Sequence, residues 1–150
     1  EQSQAILFTG NFMESANKKG DFIRLGDATR FFNGSINHTL GLMERNLSIA
    51  TGFNYSYNYA AQIVGTTWGP MVNVSKLFFK KILRTNYGAA YNSSNSLGKK
   101  INIMNIRGSA SATIAKKHNI NTSIIWQNKT GNGVAATTYF TATAGYSISF

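Results

Sequence analysis

The feature that most constrains this chain is a period of two sustained over unusually long stretches. In residues 46–60, NLSIATGFNYSYNYA, Leu47, Ile49, Thr51, Phe53, Tyr55, Tyr57 and Tyr59 fall on one side, and Asn46, Ser48, Ala50, Gly52, Asn54, Ser56 and Asn58 fall on the other. Such alternation marks a β-strand with two unlike faces. Strands of soluble proteins mostly run to about five or six residues, so the length is itself informative. The end of the chain, ATTYFTATAGYSISF, repeats the pattern: Phe140, Ala142, Ala144, Tyr146, Ile148 and Phe150 share one parity, and Thr141, Thr143, Gly145, Ser147 and Ser149 share the other.

Eight strands follow from this reading. They lie near residues 3–14 (Ile6, Phe8 and Phe12 on the apolar side), 30–42 (Phe32, Ile36, Leu40, Leu42), 46–60, 66–78 (Trp68, Val72, Val74, Phe78), 82–94 (Leu83, Tyr87, Ala89, Tyr91), 101–115 (Met104, Ile106, Ala110, Ala112, Ile114), 119–128 (Ile120, Ile124, Trp126) and 136–150. Tight turns, MERN, FKKI and KKHN, are expected after every second strand, and longer loops, SANKKGDFIRLGDAT, AQIVGT, NSLGKK and KTGNGVA, after the others. Short turns at one end and long loops at the other, joined by an even number of amphipathic strands, predict an all-β, antiparallel up-and-down transmembrane β-barrel. Aromatics sort by height as well. Tyr57, Tyr59, Trp68, Tyr91, Trp126 and Phe140 lie toward the loop ends and form the expected outer aromatic girdle, with Phe78, Phe79, Tyr146 and Phe150 at the inner interface.

Composition removes several alternatives. No run of about eighteen apolar residues exists, which excludes a transmembrane helix and leaves a barrel open. There is no cysteine, so neither disulfides nor thiolate chemistry is available. One proline among 150 residues argues against a Pro-rich linker. Fifteen Lys and Arg against five Asp and Glu give a net charge of +10, which favours anionic partners such as lipid headgroups, lipopolysaccharide or nucleic acid. The opening EQSQAILFTG carries no basic and apolar leader, which fits a mature chain or part of a longer one.

With the eight strands and the final YSISF in view, the chain resembles the bacterial outer-membrane β-barrel superfamily. That resemblance implies an outer-membrane location and recognition of the last strand, through Phe140, Tyr146, Ile148 and Phe150, by the barrel-assembly machinery. The stretches GPMVNVSKLFFKK, RTNYGAAYNSS and FTATAGYSISF also look like the C-terminal barrel regions of Bacteroidota outer-membrane proteins.

The face opposite the apolar one is Asn, Ser, Thr, Gly and Ala almost throughout, with Arg84 and Arg107 as its main charges. None of Glu1, Glu14, Asp21, Asp27 or Glu44 falls on that face of a strand. Small closed barrels fill their interiors with side chains and give buried charges partners. Arg107, near mid-strand, is therefore expected either in a wider, wetter lumen or paired with a group outside this chain. Residues 1–150 thus form a single transmembrane β-barrel domain, either a self-contained eight-stranded barrel or the C-terminal part of a larger one.

Candidate chemistry is sparse. His38 in the second strand and His118 in KKHN have no acid in register, and paired strand carboxylates are absent, so no catalytic, cofactor or metal site is expected and the chain reads as non-enzymatic. Asp21 and Asp27 lie among Lys18, Lys19, Arg24 and Arg30, as surface ion pairs do. Asn-x-Ser/Thr matches such as NGS, NHT and NTS arise from alternating Asn and Ser/Thr on one face. The pairs Lys18/Lys19, Lys80/Lys81, Lys99/Lys100 and Lys116/Lys117 read as turn or loop residues that solvate strand ends or touch anionic headgroups. Pro70 predicts a bulge or the barrel rim.

Three functions remain. The first is an outer-membrane barrel acting as an anchor or an accessory subunit of an envelope assembly, with lipid, lipopolysaccharide and other envelope proteins as partners. The second is a small-solute pore, or a segment of a larger channel, lined by Asn, Ser and Thr, with Arg107 favouring anions. The third, a soluble basic β-protein that binds nucleic acid, requires aromatics and cations on one face. Here the strand aromatics alternate away from the polar residues.

Overall fold

The computed structural model describes residues 1–15, 18–19, 22–23, 29–60, 63–79, 82–115 and 117–149. Eight long strands dominate: β1 (Gln2–Ser15), β2 (Thr29–Leu42), β3 (Leu47–Ala60), β4 (Ile63–Phe78), β5 (Leu83–Ser96), β6 (Lys99–Ile114), β7 (His118–Gly131) and β8 (Val134–Ile148). They form one eight-stranded sheet in simple sequence order, every neighbouring pair antiparallel. A small ladder, Lys18–Lys19 with Phe22–Ile23, stands between β1 and β2. The strands are 14 to 16 residues long, against the roughly 9–11 needed to cross a bilayer, so each projects beyond the hydrocarbon.

The parity expected in every strand is the parity observed. One row of register partners runs Ile6, His38, Thr51, Val72, Ala89, Ile106, Trp126, Phe140, all on one face. A row on the opposite face runs Ala5, Thr39, Ala50, Asn73, Gly88, Arg107, Ile125, Thr141. Among the described residues no hydrophobic side chain is buried, and Ile6, Phe8, Phe12, Phe140 and Tyr146 are each at least 60% exposed. A sheet whose apolar face stands bare in this way is built to meet lipid.

Four expectations require correction. The connections after β3, β5 and β7 are only two residues long, 61–62, 97–98 and 132–133, because IVGT, the NS and KK that flank Leu97–Gly98, and KTG continue as strand. Leu97 and Gly98, at φ +52° and +73°, close the β5–β6 hairpin with the doubly left-handed backbone of a tight turn. Only residues 16–28 remain as a long connection at that end. Lys99 and Lys100 consequently lie within β6, and His118 is the first residue of β7 rather than part of a turn. Pro70 causes no bulge. The β4–β5 ladder skips Gly69 and Pro70, yet the register is the same on both sides of the gap, at mid-strand and far from the rim. Asp21, Asp27, Lys80, Lys81, Lys116 and Phe150 lie outside the described residues.

Over the described residues the sheet stays open. Its order begins at β1 and ends at β8, and among the described residues no ladder joins these two strands. Every residue of β1 is exposed, so Leu7 and Met13 on the polar side are as bare as Phe8 and Phe12 on the apolar side. The accessible surface of 10946 Å² exceeds the roughly 7,500 Å² expected of a compact 16.4 kDa protein.

The sheet is nonetheless curved. At the turn end, Ser3 of β1 and Arg84 of β5 line a single hollow of about 400 Å³. Strands four places apart are separated by about 19 Å in a flat sheet, so a shared hollow requires the sheet to curl toward its polar face. That face is concave, and the apolar face is convex.

Candidate functional site on the concave face

The convex face is layered by height. Nearest the loop end is a polar fringe: Ser93, the most deeply buried side chain described at 2% exposure, donates to Asn102 Oδ1 at 2.8 Å, and Asn128 donates to Thr138 Oγ1 at 3.0 Å. Next come Trp68, Tyr91 and Trp126, each five residues from the loop end of its strand. Rings of Phe53 and Trp68 stack with centroids 6.2 Å apart, and Trp68 and Tyr91 are 5.6 Å apart and tilted. Tyr57 and Tyr59 share this face and stand nearer the loop end of β3. Below lies an apolar zone of Ile49, Val72, Val74, Ile106 and Ile124.

At the turn end, polar and aromatic groups return to the convex face. His118 Nδ1 and the Tyr146 hydroxyl are 2.7 Å apart, with their rings stacked, and the Lys76 ammonium sits 4.9 Å from the centre of Phe78. Phe140, Tyr146 and Ile148 of β8 all occupy this face, opposite Trp126, Ile120 and His118. Glu14 and Arg30, on the convex side at the loop end, pair at 2.8 Å. Polar, aromatic, apolar and again polar is the order of layers that a membrane with two interfaces selects.

The concave face carries the chemistry. Its hydroxyls and amides bond across strands: Thr9 with Ser35 at 2.7 Å, Ser123 with Thr143 at 2.6 Å, and Gln127 donating to Asn105 at 2.8 Å. A hollow of about 410 Å³ lies over its centre, lined by Ser48, Asn73, Ser75, Asn86, Arg107, Ser109 and Ser123 among others, from strands β3 to β7. Arg107 is exposed in this hollow, and its Nη2 donates to Asn73 Oδ1 at 2.7 Å. The two residues belong to β6 and β4, with Gly88 of β5 between them in register. A Cβ on Gly88 would stand 2.6 Å from Asn73 Oδ1 and 2.7 Å from Arg107 Nε, so the bare backbone there lets the guanidinium lie flat across the strand.

Both lumen candidates, Arg84 and Arg107, are on the concave face, Arg84 beside the turn-end hollow. Among the described residues the two ion pairs are Arg30 with Glu14 and the N-terminal ammonium with Glu44, and neither lies on the concave face of a strand. Sequence reading missed four contributors: Asn73 and Gly88, which hold Arg107, and Lys99 and Lys129, which the extended β6 and β7 turn toward the same face. Extending the β6 parity back from Arg107 to Lys99, and the β7 parity on through KTG, would have found the two lysines.

No protein-family model matches the chain, and no curated protein matches it. Among solved structures, the chain is similar to OmpTΔL8, a loop L8 deletion mutant of OmpT, an outer membrane protein of Vibrio cholerae, with a TM-score of 0.64 at 9% identity over 95% of this chain and 49% of that one. A second similar structure, Neisserial surface protein A, gives a TM-score of 0.36 at 15% identity over all of this chain and 99% of that one. The chain thus spans about half the length of the Vibrio protein. Its fold is an antiparallel, up-and-down sheet of the kind that spans bacterial outer membranes.

Proposed function

We propose that this chain is a curved wall of an outer-membrane β-barrel larger than its own eight strands, enclosing a water-filled passage for small polar solutes. The observation that carries the reading is the pair of open edges: among the described residues β1 and β8 each have one ladder partner, while the concave face between them is polar and exposed. An unpaired strand edge in hydrocarbon leaves backbone groups unsatisfied at several kcal/mol each, so further strands must continue the sheet on both sides. A closed eight-stranded barrel would instead pack its interior with side chains. The half-length match to the Vibrio protein supports the larger barrel, as does the resemblance of FTATAGYSISF to C-terminal barrel regions of Bacteroidota outer-membrane proteins.

On this reading residues 1–150 are one unit of that barrel, non-enzymatic. Lipid and lipopolysaccharide surround the convex face, and β8 presents Phe140, Tyr146 and Ile148 to the assembly machinery. Nucleic-acid binding is disfavoured because the convex face that carries most strand aromatics is apolar at mid-height, its cations Arg30, Lys76 and Lys100 standing near strand ends, while Arg84 and Arg107 are on the concave face. The test is conductance of the full-length protein in planar bilayers, after confirming heat-modifiable gel mobility. Stable ohmic steps are expected. A protein that folds in detergent but carries no current would favour the anchor or accessory role, and release from membranes by high salt alone would sink every membrane reading.

A further inference from the structure

The cations of the concave face follow a rule that neither their sequence positions nor their types suggest. Along β6, Lys99 faces inward at the loop end and Arg107 at mid-strand. Lys129 of β7 is the register partner of Ile103, and Arg84 of β5 is the register partner of Ser111. Measured on β6, the four charges stand at levels 99, 103, 107 and 111, one every four residues from one mouth of the wall to the other. Each step is four residues along and one strand across, about 14 Å between backbones given a rise of about 3.4 Å per residue and a strand spacing of about 4.8 Å. No carboxylate among the described residues stands on this face of a strand.

We propose that this row is a track for small oxyanions, with its principal seat at Arg107. The inference rests on the reading of the concave face as the wall of a water-filled passage, and it adds the solute class. The flexible side chains of Lys99, Lys129 and Arg84 can each lean toward the next cation, which shortens every step toward the physiological Debye length of roughly 8 Å, so an anion leaving one cation feels the next. Several weak sites in series are what conduction needs, since a single strong one would trap its ion. Arg107 differs from the others in being fixed. Asn73 accepts from Nη2, and Gly88 lets the side chain lie flat, so the planar fork is presented to the hollow in one orientation. A guanidinium so held takes two oxygens of a carboxylate or phosphate at once. One level toward the turn end, Ser75, Asn86 and Ser109 offer hydroxyl and amide donors to the same hollow. Because Asn73 is neutral, it orients the guanidinium without cancelling its charge.

The test is the reversal potential of the full-length protein in a KCl gradient, with acetate and inorganic phosphate added as probes. Wild type should prefer chloride over potassium, and both probes should reduce chloride current. In Arg107→Gln, with heat-modifiable mobility retained, the preference should fall about fivefold, the factor that one unit charge about 4 Å away contributes in water, and block by the probes should weaken. Lys129→Gln should lower the preference without abolishing block, and Arg30→Gln on the convex face should change neither. Block by phosphate but not acetate, or the reverse, would narrow the seat to one oxyanion and support it. Current without anion preference, or a preference unchanged in Arg107→Gln, overturns the track and leaves the channel wall standing. Absence of all current removes both.

Discussion

Arg107 and Asn73 are bonded at 2.7 Å although a whole strand separates them, and the residue beneath the bond is Gly88. The position of the Arg107 charge on the concave face is therefore set by a missing side chain as much as by its partner. Gly88→Ala should displace the guanidinium, because the new methyl meets the Asn73 amide oxygen and the Nε and Cγ of Arg107, side-chain atoms that can shift without moving the backbone. Anion preference should drop toward that of Arg107→Gln, with little change in the denaturant midpoint.

Gly69→Ala should behave in the opposite way. Its Cβ would run into the backbone carbonyl of Tyr91 and the amide of Asn92, and a carbonyl cannot move without the strand. A loss of about 1–3 kcal/mol in stability, measured by unfolding in lipid vesicles, is expected.

Adjacent residues on β7 test the facing directly. Ile124 is at mid-strand on the convex side and Ser123 beside it is concave. Ile124→Arg should cost about 2–4 kcal/mol, the penalty for a cation in the hydrocarbon midplane. Ser123→Arg should cost under about 1.5 kcal/mol, mainly its bond to Thr143. Equal costs would contradict the two faces.

The open edges can be tested with engineered thiols, since the chain has no cysteine of its own. A Ser123→Cys, Thr143→Cys pair, in register across β7 and β8, should form a disulfide within one chain. Pairs joining β1 to β8, such as Leu7→Cys with Tyr139→Cys or Thr141→Cys, should not. Any intrachain β1–β8 disulfide formed in high yield would mean that eight strands close after all.

Leu97 holds φ at +52°, a region that suits asparagine or glycine far better than leucine. Leu97→Asn should raise stability by about 1 kcal/mol and leave conductance untouched.

How much of this was legible in the sequence depends on what surrounds each stretch. Inside the hydrocarbon, lipid forces one side of every strand to be apolar, so the facing of Ile49, Trp68, Ile124 and Phe140 could be read by counting in twos. Beyond it both faces meet water, and the alternation fades. In NSSNSLGKK the convex Ser93 and Asn95 are as polar as the concave Ser94 and Ser96, which is why the alternation reads as ending at residue 94, with Asn95, Ser96 and Lys99 in a loop. Edge partners leave no such trace, because ladder hydrogen bonds are made by backbone that every residue shares. Arg107 could be placed from parity alone. Its hold on Asn73, 34 residues away in the chain, needed the register of three strands.

Among the described residues of the eight long strands that register shifts only once, between Val134 and Thr137, directly after the tight turn at 132–133. Everywhere else an inserted or deleted residue would exchange the oily and watery sides of all the strand that follows it. A gene for such a wall can drift freely by substitution within each parity, but it can change length only in even steps or at the turns. Over evolutionary time its relatives should therefore keep strand lengths in phase long after their residues have ceased to match.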